Sequence, residues 1–140
     1  MSVTTTALTA PTTAARPAGS LRRTTLVAGL RSAGVVTAAA AALHAAGVSF
    51  AVGGEMIPLA GFAQLTFAGA VIGGVLVAVL DRRSASPRRR FVTATVALTA
   101  LSCLPAVAWP DDVATKLWLV TLHLLAAALV VPVLIRHARD

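Results

Sequence analysis

The chain has 140 residues, of which 57% are hydrophobic and only 12% are charged, and its mean hydropathy is +0.84. Charged residues make up about 25% of an ordinary soluble domain, so this composition indicates a membrane protein. A single cysteine, Cys103, excludes an internal disulfide framework, a paired-cysteine redox site and a cysteine zinc cluster. The formal net charge of +7 indicates a partner only once the positions of the basic residues are known.

The chain begins with a segment, residues 1–23, that is rich in Thr, Ala and Pro and poor in large apolar side chains. Such a segment cannot bury enough apolar surface to fold by itself, so we expect a disordered tail. A secretory signal cleaved near Ala45 or Ala46 is the less favoured interpretation. The apolar run that follows the tail is too long for a signal and contains Arg31.

The first predicted span covers residues 24–46, and Arg31 is its only charge. Either this helix holds Arg31 and the guanidinium reaches back to the headgroups, or the membrane part is residues 32–52 and Arg31 lies at the interface. We favour the first placement. The alternation of apolar residues before the Gly53-Gly54 pair predicts a short extended segment and a turn rather than more helix.

The second predicted span, residues 58–80, has twenty-three residues without a charge. At about 1.5 Å rise per residue it is about 34 Å long, enough to cross a hydrocarbon core of about 30 Å. Two further spans are predicted over residues 91–108 and 116–135. The arginine-rich segment between the second and third spans, residues 81–90, is predicted to be a loop because it contains a proline.

The charges are distributed unequally between the two sides of these spans. All eleven arginines belong to the N-terminal tail, the loop between the second and third spans, the C-terminal end or, for Arg31, the first third of the first span. The two connections on the other side hold Glu55, Asp111, Asp112 and Lys116. The positive-inside rule then predicts four spans with both termini cytoplasmic.

The expected fold is therefore an all-α, integral membrane four-helix transmembrane bundle formed by residues 24–136, with residues 137–140 as a cytoplasmic tail. We expect a multi-pass protein of the bacterial inner (plasma) membrane. The lipid bilayer is its expected partner, together with a second copy or another membrane protein. Nucleic acid is not expected as a partner, because topology already accounts for the basic residues.

Small residues mark the helix faces that are expected to pack, because helices in lipid associate through close approach of their backbones. Gly69 and Gly73 form a GxxxG motif in the second span, predicted to be a packing face and a weak signal for a dimer. In the fourth span, the bulky stripe that includes Trp118 and Leu122 is expected to face lipid. His123, on the opposite face, is then expected to point into the bundle.

Four polar residues are candidates for an intramembrane polar layer: Gln64, Ser102, His123 and, only if the first span extends to Val52, His44. An ionisable residue inside the membrane is a functional-site hypothesis, here with Glu55, Asp111 and Asp112 at the mouth above the layer. We favour the interpretation in which the layer consists of interhelical hydrogen bonds, and in which the two aspartates belong to a solvated loop.

No catalytic residue, metal ligand or cofactor is predicted. Ser102 lacks the context of a nucleophile elbow, and Cys103 lacks a nearby base. His44 and His123 would ligate a b-type haem only at equal depth and with facing rings. The expected function is that of a non-enzymatic integral membrane protein, structural or accessory. The alternatives are a small transporter, channel or proton-responsive subunit that uses the layer around His123 and Gln64 and, less favoured, a haem-carrying subunit.

The order and spacing of several short motifs resemble a known family. These motifs are Gly53-Gly54-Glu55-Met56-Ile57-Pro58 followed by Gly61-Phe62, then Ala97-Leu98-Thr99-Ala100-Leu101-Ser102 and Pro105, then Ala114-Thr115, His123 and Pro132. From Leu21 to Arg136 the chain resembles a bacterial family of small four-helix membrane proteins known as domain of unknown function number 6069. The resemblance implies an integral membrane protein without established activity. It also implies that the corner at residues 57–62, the 99–102 region and His123 are shared features.

Overall fold

The computed structural model describes residues 18–138. It contains four helices and a two-stranded antiparallel hairpin: α1 (Ala18–Ala45), β1 (Ala51–Val52), β2 (Glu55–Met56), α2 (Leu59–Arg83), α3 (Pro87–Ala108) and α4 (Val113–Ile135). All four helices are long and apolar enough to cross a membrane, with mean hydropathies of 1.7 to 2.4. This confirms the predicted four-helix membrane bundle. The protein is a multi-pass membrane protein.

The two ends of the bundle differ in character. At one end of the bundle α1 begins, α2 joins α3 and α4 ends; the arginines flank the helices there, and we call it the arginine end. The opposite end holds the β-hairpin and the connection between α3 and α4, and we call it the hairpin end. The tail predicted over residues 1–23 lies outside the described residues as far as residue 17, and its last six residues are the start of α1. Of the predicted C-terminal tail, residues 139–140 lie outside the described residues, and residues 137–138 form a turn and a bend.

The connection between α2 and α3 is shorter than the sequence predicts. α2 continues through Arg83 and α3 begins at Pro87, so that only residues 84–86 are non-helical. The prediction of a loop over residues 81–90 was wrong. Pro87 opens α3 instead of preventing it, because the N–H that proline lacks has no partner inside the first turn of a helix anyway.

A Schellman motif ends α1. The backbone N–H of Val48 donates to the Leu43 carbonyl at 3.0 Å, and that of Gly47 donates to the His44 carbonyl at 3.0 Å. Gly47 has a φ of +98°, the left-handed conformation that this motif requires. α1 therefore stops at Ala45, and a first helix that runs to Val52 is excluded.

The hairpin that follows turns at Gly53 and Gly54, whose φ angles are +61° and +82°. Two consecutive positive φ angles are those of a type I′ turn, the two-residue turn whose twist matches paired strands. The extended segment and turn expected here are therefore present. Phe50, just before β1, also has a positive φ, of +50°, and its side chain is only 2% exposed.

Two clusters of buried apolar side chains fill the bundle. The hairpin-end cluster consists of Val36, Ala40, Phe50, Phe62 and Leu122, and the arginine-end cluster consists of Ala70, Val77, Phe91, Val130 and Leu134. In the first, the rings of Phe50 and Phe62 meet edge to face with their centroids 5.2 Å apart. In the second, Phe91 is fully buried and attaches α3, otherwise the least buried helix, to α2 and α4.

The packing faces differ from those that residue size predicts. Leu122, expected to face lipid, is 4% exposed and belongs to the hairpin-end cluster, because a core built around Phe50 and Phe62 requires large partners. A Cβ built on Gly73 would lie 2.8 Å from the Leu134 side chain, but one built on Gly69 would meet nothing within 4 Å. The close approach predicted at Gly69 is therefore absent, since Gly69 lies on the exposed face of α2.

Candidate functional site

The four candidates for a polar layer are not brought together by hydrogen bonds. Gln64 is exposed on the outer face of α2. The Ser102 hydroxyl donates to the carbonyl of Thr99 in its own helix at 2.9 Å, as serine commonly does inside helices. His123 is partly buried, and its ring makes no hydrogen bond within residues 18–138. Hydrogen bonds between helices that involve these side chains are therefore absent from the described chain.

His44 lies apart from the other three. It is exposed in the last turn of α1, and its Nδ1 donates to the Val48 carbonyl at 3.0 Å, which supports the Schellman motif. His123 lies ten residues into α4, about 15 Å from the start of that helix. The two rings are thus placed at different depths, and this arrangement does not favour a pair of axial haem ligands.

Asp112 is the N-cap of α4. Its carboxylate accepts from the Thr115 backbone N–H at 2.8 Å, from the Thr115 hydroxyl at 2.6 Å and from the Ser49 hydroxyl at 2.9 Å. These bonds, above all those from the Thr115 hydroxyl and backbone, hold the pKa of Asp112 below its usual value. Thr115 is fully buried, so the cap is fixed in position.

Asp111 binds the hairpin. Its carboxylate oxygens accept from the backbone N–H groups of Gly53 at 3.2 Å and Gly54 at 2.9 Å, and its own backbone N–H donates to the Ala51 carbonyl at 3.3 Å. Successive backbone N–H groups in a tight turn form a concavity that suits an anion, which here is the side chain itself.

We call the contacts of Asp111 with the glycine turn, and of Asp112 with Ser49 and Thr115, the hairpin clasp. The aspartates expected in a solvated loop instead join the connection between α3 and α4 to the segment between α1 and α2. The N-cap could have been found from the sequence, because Asp112 lies just before a long apolar run, and aspartate is a favoured N-cap residue. The contacts with Ser49 and with the glycine turn have no local sequence signal.

The clasp joins two connections at the hairpin end. Both carboxylates accept hydrogen bonds from the chain itself. Glu55, the third acidic residue of this end, is exposed on β2 and takes no part in the clasp. Within residues 18–138 no group of three or more His, Cys, Asp or Glu side chains is placed to hold a metal ion.

Comparison with known proteins places the chain by family alone. No curated protein and no solved structure matches it. One family model, described as "Family of unknown function (DUF6069)", matches residues 16–140, which is nearly the whole chain and includes the four helices and the hairpin clasp. The chain therefore belongs to that family.

Proposed function

We propose that this protein is a non-enzymatic, structural or accessory component of the bacterial plasma membrane, with both termini in the cytoplasm. The orientation rests on charge. Arginines occupy the arginine end of the bundle, whereas Glu55, Asp111 and Asp112 lie at the hairpin end. The positive-inside rule assigns the arginine end to the cytoplasm.

The packed apolar interior is the observation that supports a role other than transport. The hairpin-end cluster lies between α1, α2 and α4, and Phe50, just before β1, inserts its side chain into it. The arginine-end cluster fills the other half around Phe91. Interiors packed with apolar side chains offer an ion no partners to replace its water, so a single copy of this bundle is a poor conduit.

A flux assay tests this role. The full chain is reconstituted in liposomes that contain a pH-sensitive dye, and a proton gradient is imposed. We expect the dye response to equal that of empty liposomes, both for the wild type and for His123→Gln. Proton entry into liposomes that contain the wild-type protein, but not into empty liposomes, would contradict the proposal.

One observation favours a second candidate, a proton-responsive or transporting subunit. His123 is partly buried within a predicted span, and its ring makes no hydrogen bond in the described chain. Such a ring is available to a proton or a ligand. In the same assay this candidate requires proton entry with the wild type and its loss with His123→Gln. Thr121→Ala is the matched control on α4, because the Thr121 hydroxyl bonds only to its own helix at Leu117.

A further inference from the structure

A groove of about 640 Å³ lies between α1 and α4 at the arginine end. One face of α1 forms its longer wall, from Arg23 through Val27 and Arg31 to Val35, and Leu129 and Val133 of α4 form the other. The hydroxyl of Thr24 and the Nε2 of His137 lie 3.3 Å apart and join α1 to the turn that follows α4, at the end of the groove. The groove is therefore bounded by two helices that are tied together, not by loose segments.

Among the described residues that line this groove, Arg23 and Arg31 are the only ionic groups. Within residues 18–138, neither guanidinium group makes an ion pair or hydrogen bond, and no carboxylate lines the groove. Arg31 lies eight residues beyond Arg23, about 12 Å further along a helix that is apolar enough to cross the membrane. A guanidinium that is unpaired at such depth is unfavourable, and it is stabilised by an anion or by reaching the interface.

The direction of the helix favours the Arg31 charge near the membrane interface. Side chains on an α-helix lean toward its N-terminus, and the N-terminus of α1 is at the arginine end. The lean of Arg31 is therefore toward the arginine end of the groove, at which Arg23 also lies. Between and beyond the arginines the groove exposes apolar side chains: Val27 lies between Arg23 and Arg31, Val35 lies one turn beyond Arg31, and Leu129 of α4 is partly exposed.

We propose that this groove binds an anionic phospholipid. The headgroup phosphate lies between the guanidinium groups of Arg23 and Arg31, and an acyl chain lies along Val27, Val35 and Leu129. Arginine recognises phosphate with paired N–H donors, and basic pockets between membrane helices are suited to anionic headgroups. A soluble anion would leave the apolar length of the groove unused, and a zwitterionic lipid would leave the two cations only partly neutralised.

Native mass spectrometry of the full chain in detergent, titrated with phosphatidylglycerol or phosphatidylcholine, tests the charge requirement. We expect the wild type to retain phosphatidylglycerol preferentially. The variant Arg23→Gln/Arg31→Gln should bind it about 30-fold more weakly, since each arginine near a headgroup contributes about fivefold. The matched control is Arg22→Gln/Arg90→Gln, which removes the same charge from exposed sites outside the groove and should bind as the wild type does.

A second measurement keeps the arginines intact. In a Cys103→Ser background, a fluorophore on Val35→Cys in the groove is compared with one on Val96→Cys, an exposed position on α3. In bilayers that mix both lipids, brominated phosphatidylglycerol should quench the groove label more strongly than brominated phosphatidylcholine does. The label at Val96→Cys should be quenched equally by the two.

Each other outcome overturns the proposal. Equal losses in the two double variants would mean that general surface charge attracts the lipid. Equal quenching at Val35→Cys by both lipids would mean an apolar groove without headgroup selection. Displacement of the bound lipid by inorganic phosphate at millimolar concentration would mean a site for a free anion.

Discussion

Thr25 of α1 lies directly against Gly74 of α2. A Cβ built on Gly74 would lie 2.6 Å from the Cγ2 of Thr25, a separation that real side chains do not tolerate. Thr25 is 7% exposed, and its hydroxyl is buried without a hydrogen-bond partner in the described chain. The absence of a side chain at Gly74 thus lets a branched residue lie directly against the backbone of the facing helix.

Replacing Gly74 by alanine should therefore destabilise the bundle. The added methyl forces α1 and α2 apart, with an expected loss of about 1–3 kcal/mol in the free energy of unfolding. Thermal or denaturant unfolding in detergent measures it. Thr25→Ala removes two of the three Thr25 atoms that the new methyl meets, Oγ1 and Cγ2, so the double variant should recover part of the loss.

Gly69→Ala is the matched control for this prediction. It makes the same chemical change on the same helix, but its new methyl meets nothing within 4 Å. Alanine is also the better helix former, so this variant should be as stable as the wild type or slightly more stable. Equal destabilisation by the two substitutions would contradict close packing at Gly74.

The sequence marks α2 as rich in small residues but does not show which of them meet a neighbour. Gly69 and Gly73 stand out as a GxxxG motif, but of the two only Gly73 approaches a neighbour, Leu134, and the buried residues of the helix include Ala70, Gly74 and Val77. One residue along an α-helix corresponds to a rotation of about 100°, so a motif shifted by one position indicates a different face. The direction of a face is set by the other helices, which a single segment does not specify.

At the scale of the element, the hairpin clasp holds together two connections that are far apart in sequence. Ser49 and Asp112 are separated by 63 residues, and Gly54 and Asp111 by 57. A two-stranded hairpin alone is marginally stable in water, so its conformation depends on these contacts and on the insertion of Phe50 below it. The clasp thereby closes the hairpin end of the bundle.

Asp111→Ala should loosen the hairpin locally. The amides of Gly53 and Gly54 lose their acceptor, and hydrogen exchange at these two residues should become about fivefold to tenfold faster, as expected from a hydrogen bond worth about 1–1.5 kcal/mol. Hydrogen–deuterium exchange of the full chain measures this. Glu55→Ala, in the same hairpin but outside the clasp, should leave their exchange unchanged; an effect as large as that of Asp111→Ala would argue against the clasp.

Asp112 should make stability depend on pH in the acidic range. Its pKa is lowered in the folded protein, so the unfolded chain takes up a proton first, at its ordinary pKa of about 4. The contribution of the carboxylate is therefore fully present above about pH 4 to 5 and is lost as the pH falls through the lower folded-state value.

A comparison of melting temperatures across this range checks the linkage. Asp112→Asn should melt at a lower temperature than the wild type at neutral pH, and the difference should shrink below about pH 4, because the asparagine has no proton to take up. Glu55→Gln should retain the acid dependence of the wild type. A difference between Asp112→Asn and the wild type that stays constant from neutral to acidic pH would contradict the role of the carboxylate charge.

Elements and contacts differ in how far they are visible in sequence. A run of about twenty apolar residues is a local property, and all four helices could be predicted from it. The predicted helix ends were less accurate where a residue can take either of two structural roles. Pro87 can stop a helix or begin one, and Asp112 can be solvated or cap a helix. The clasp and the faces of α2 and α4 were missed because they depend on residues in other elements.

For the whole molecule, the four helices are unequally embedded in the bundle. α1 and α2 share the most extensive interface, α4 packs on both, and α3 lies mainly against α4 and α2. α3 consequently exposes a long apolar face that includes Val96, Leu101 and Leu104. In a multi-pass membrane protein such a face is accounted for by the acyl chains of the lipid, so its exposure is no sign of an incomplete fold.

The orientation of the molecule can be tested with two single-cysteine variants in a Cys103→Ser background. Glu55→Cys lies in the hairpin, and Ala85→Cys lies in the connection between α2 and α3; both positions are exposed, and neither substitution removes a contact of the clasp. We expect a membrane-impermeant maleimide to label Glu55→Cys in intact cells and Ala85→Cys only after permeabilisation, because five arginines flank Ala85 and should hold that end in the cytoplasm.

Labelling after permeabilisation shows that both thiols are reactive, so protection in intact cells reports location alone. The reverse pattern would place the arginines outside and contradict the charge-based orientation. It would also move the lipid groove to the outer leaflet, because Arg23 and Arg31 lie at the same end of the bundle as Ala85. Labelling of both variants in intact cells would contradict a membrane-crossing α2, since that helix alone separates the hairpin from Ala85.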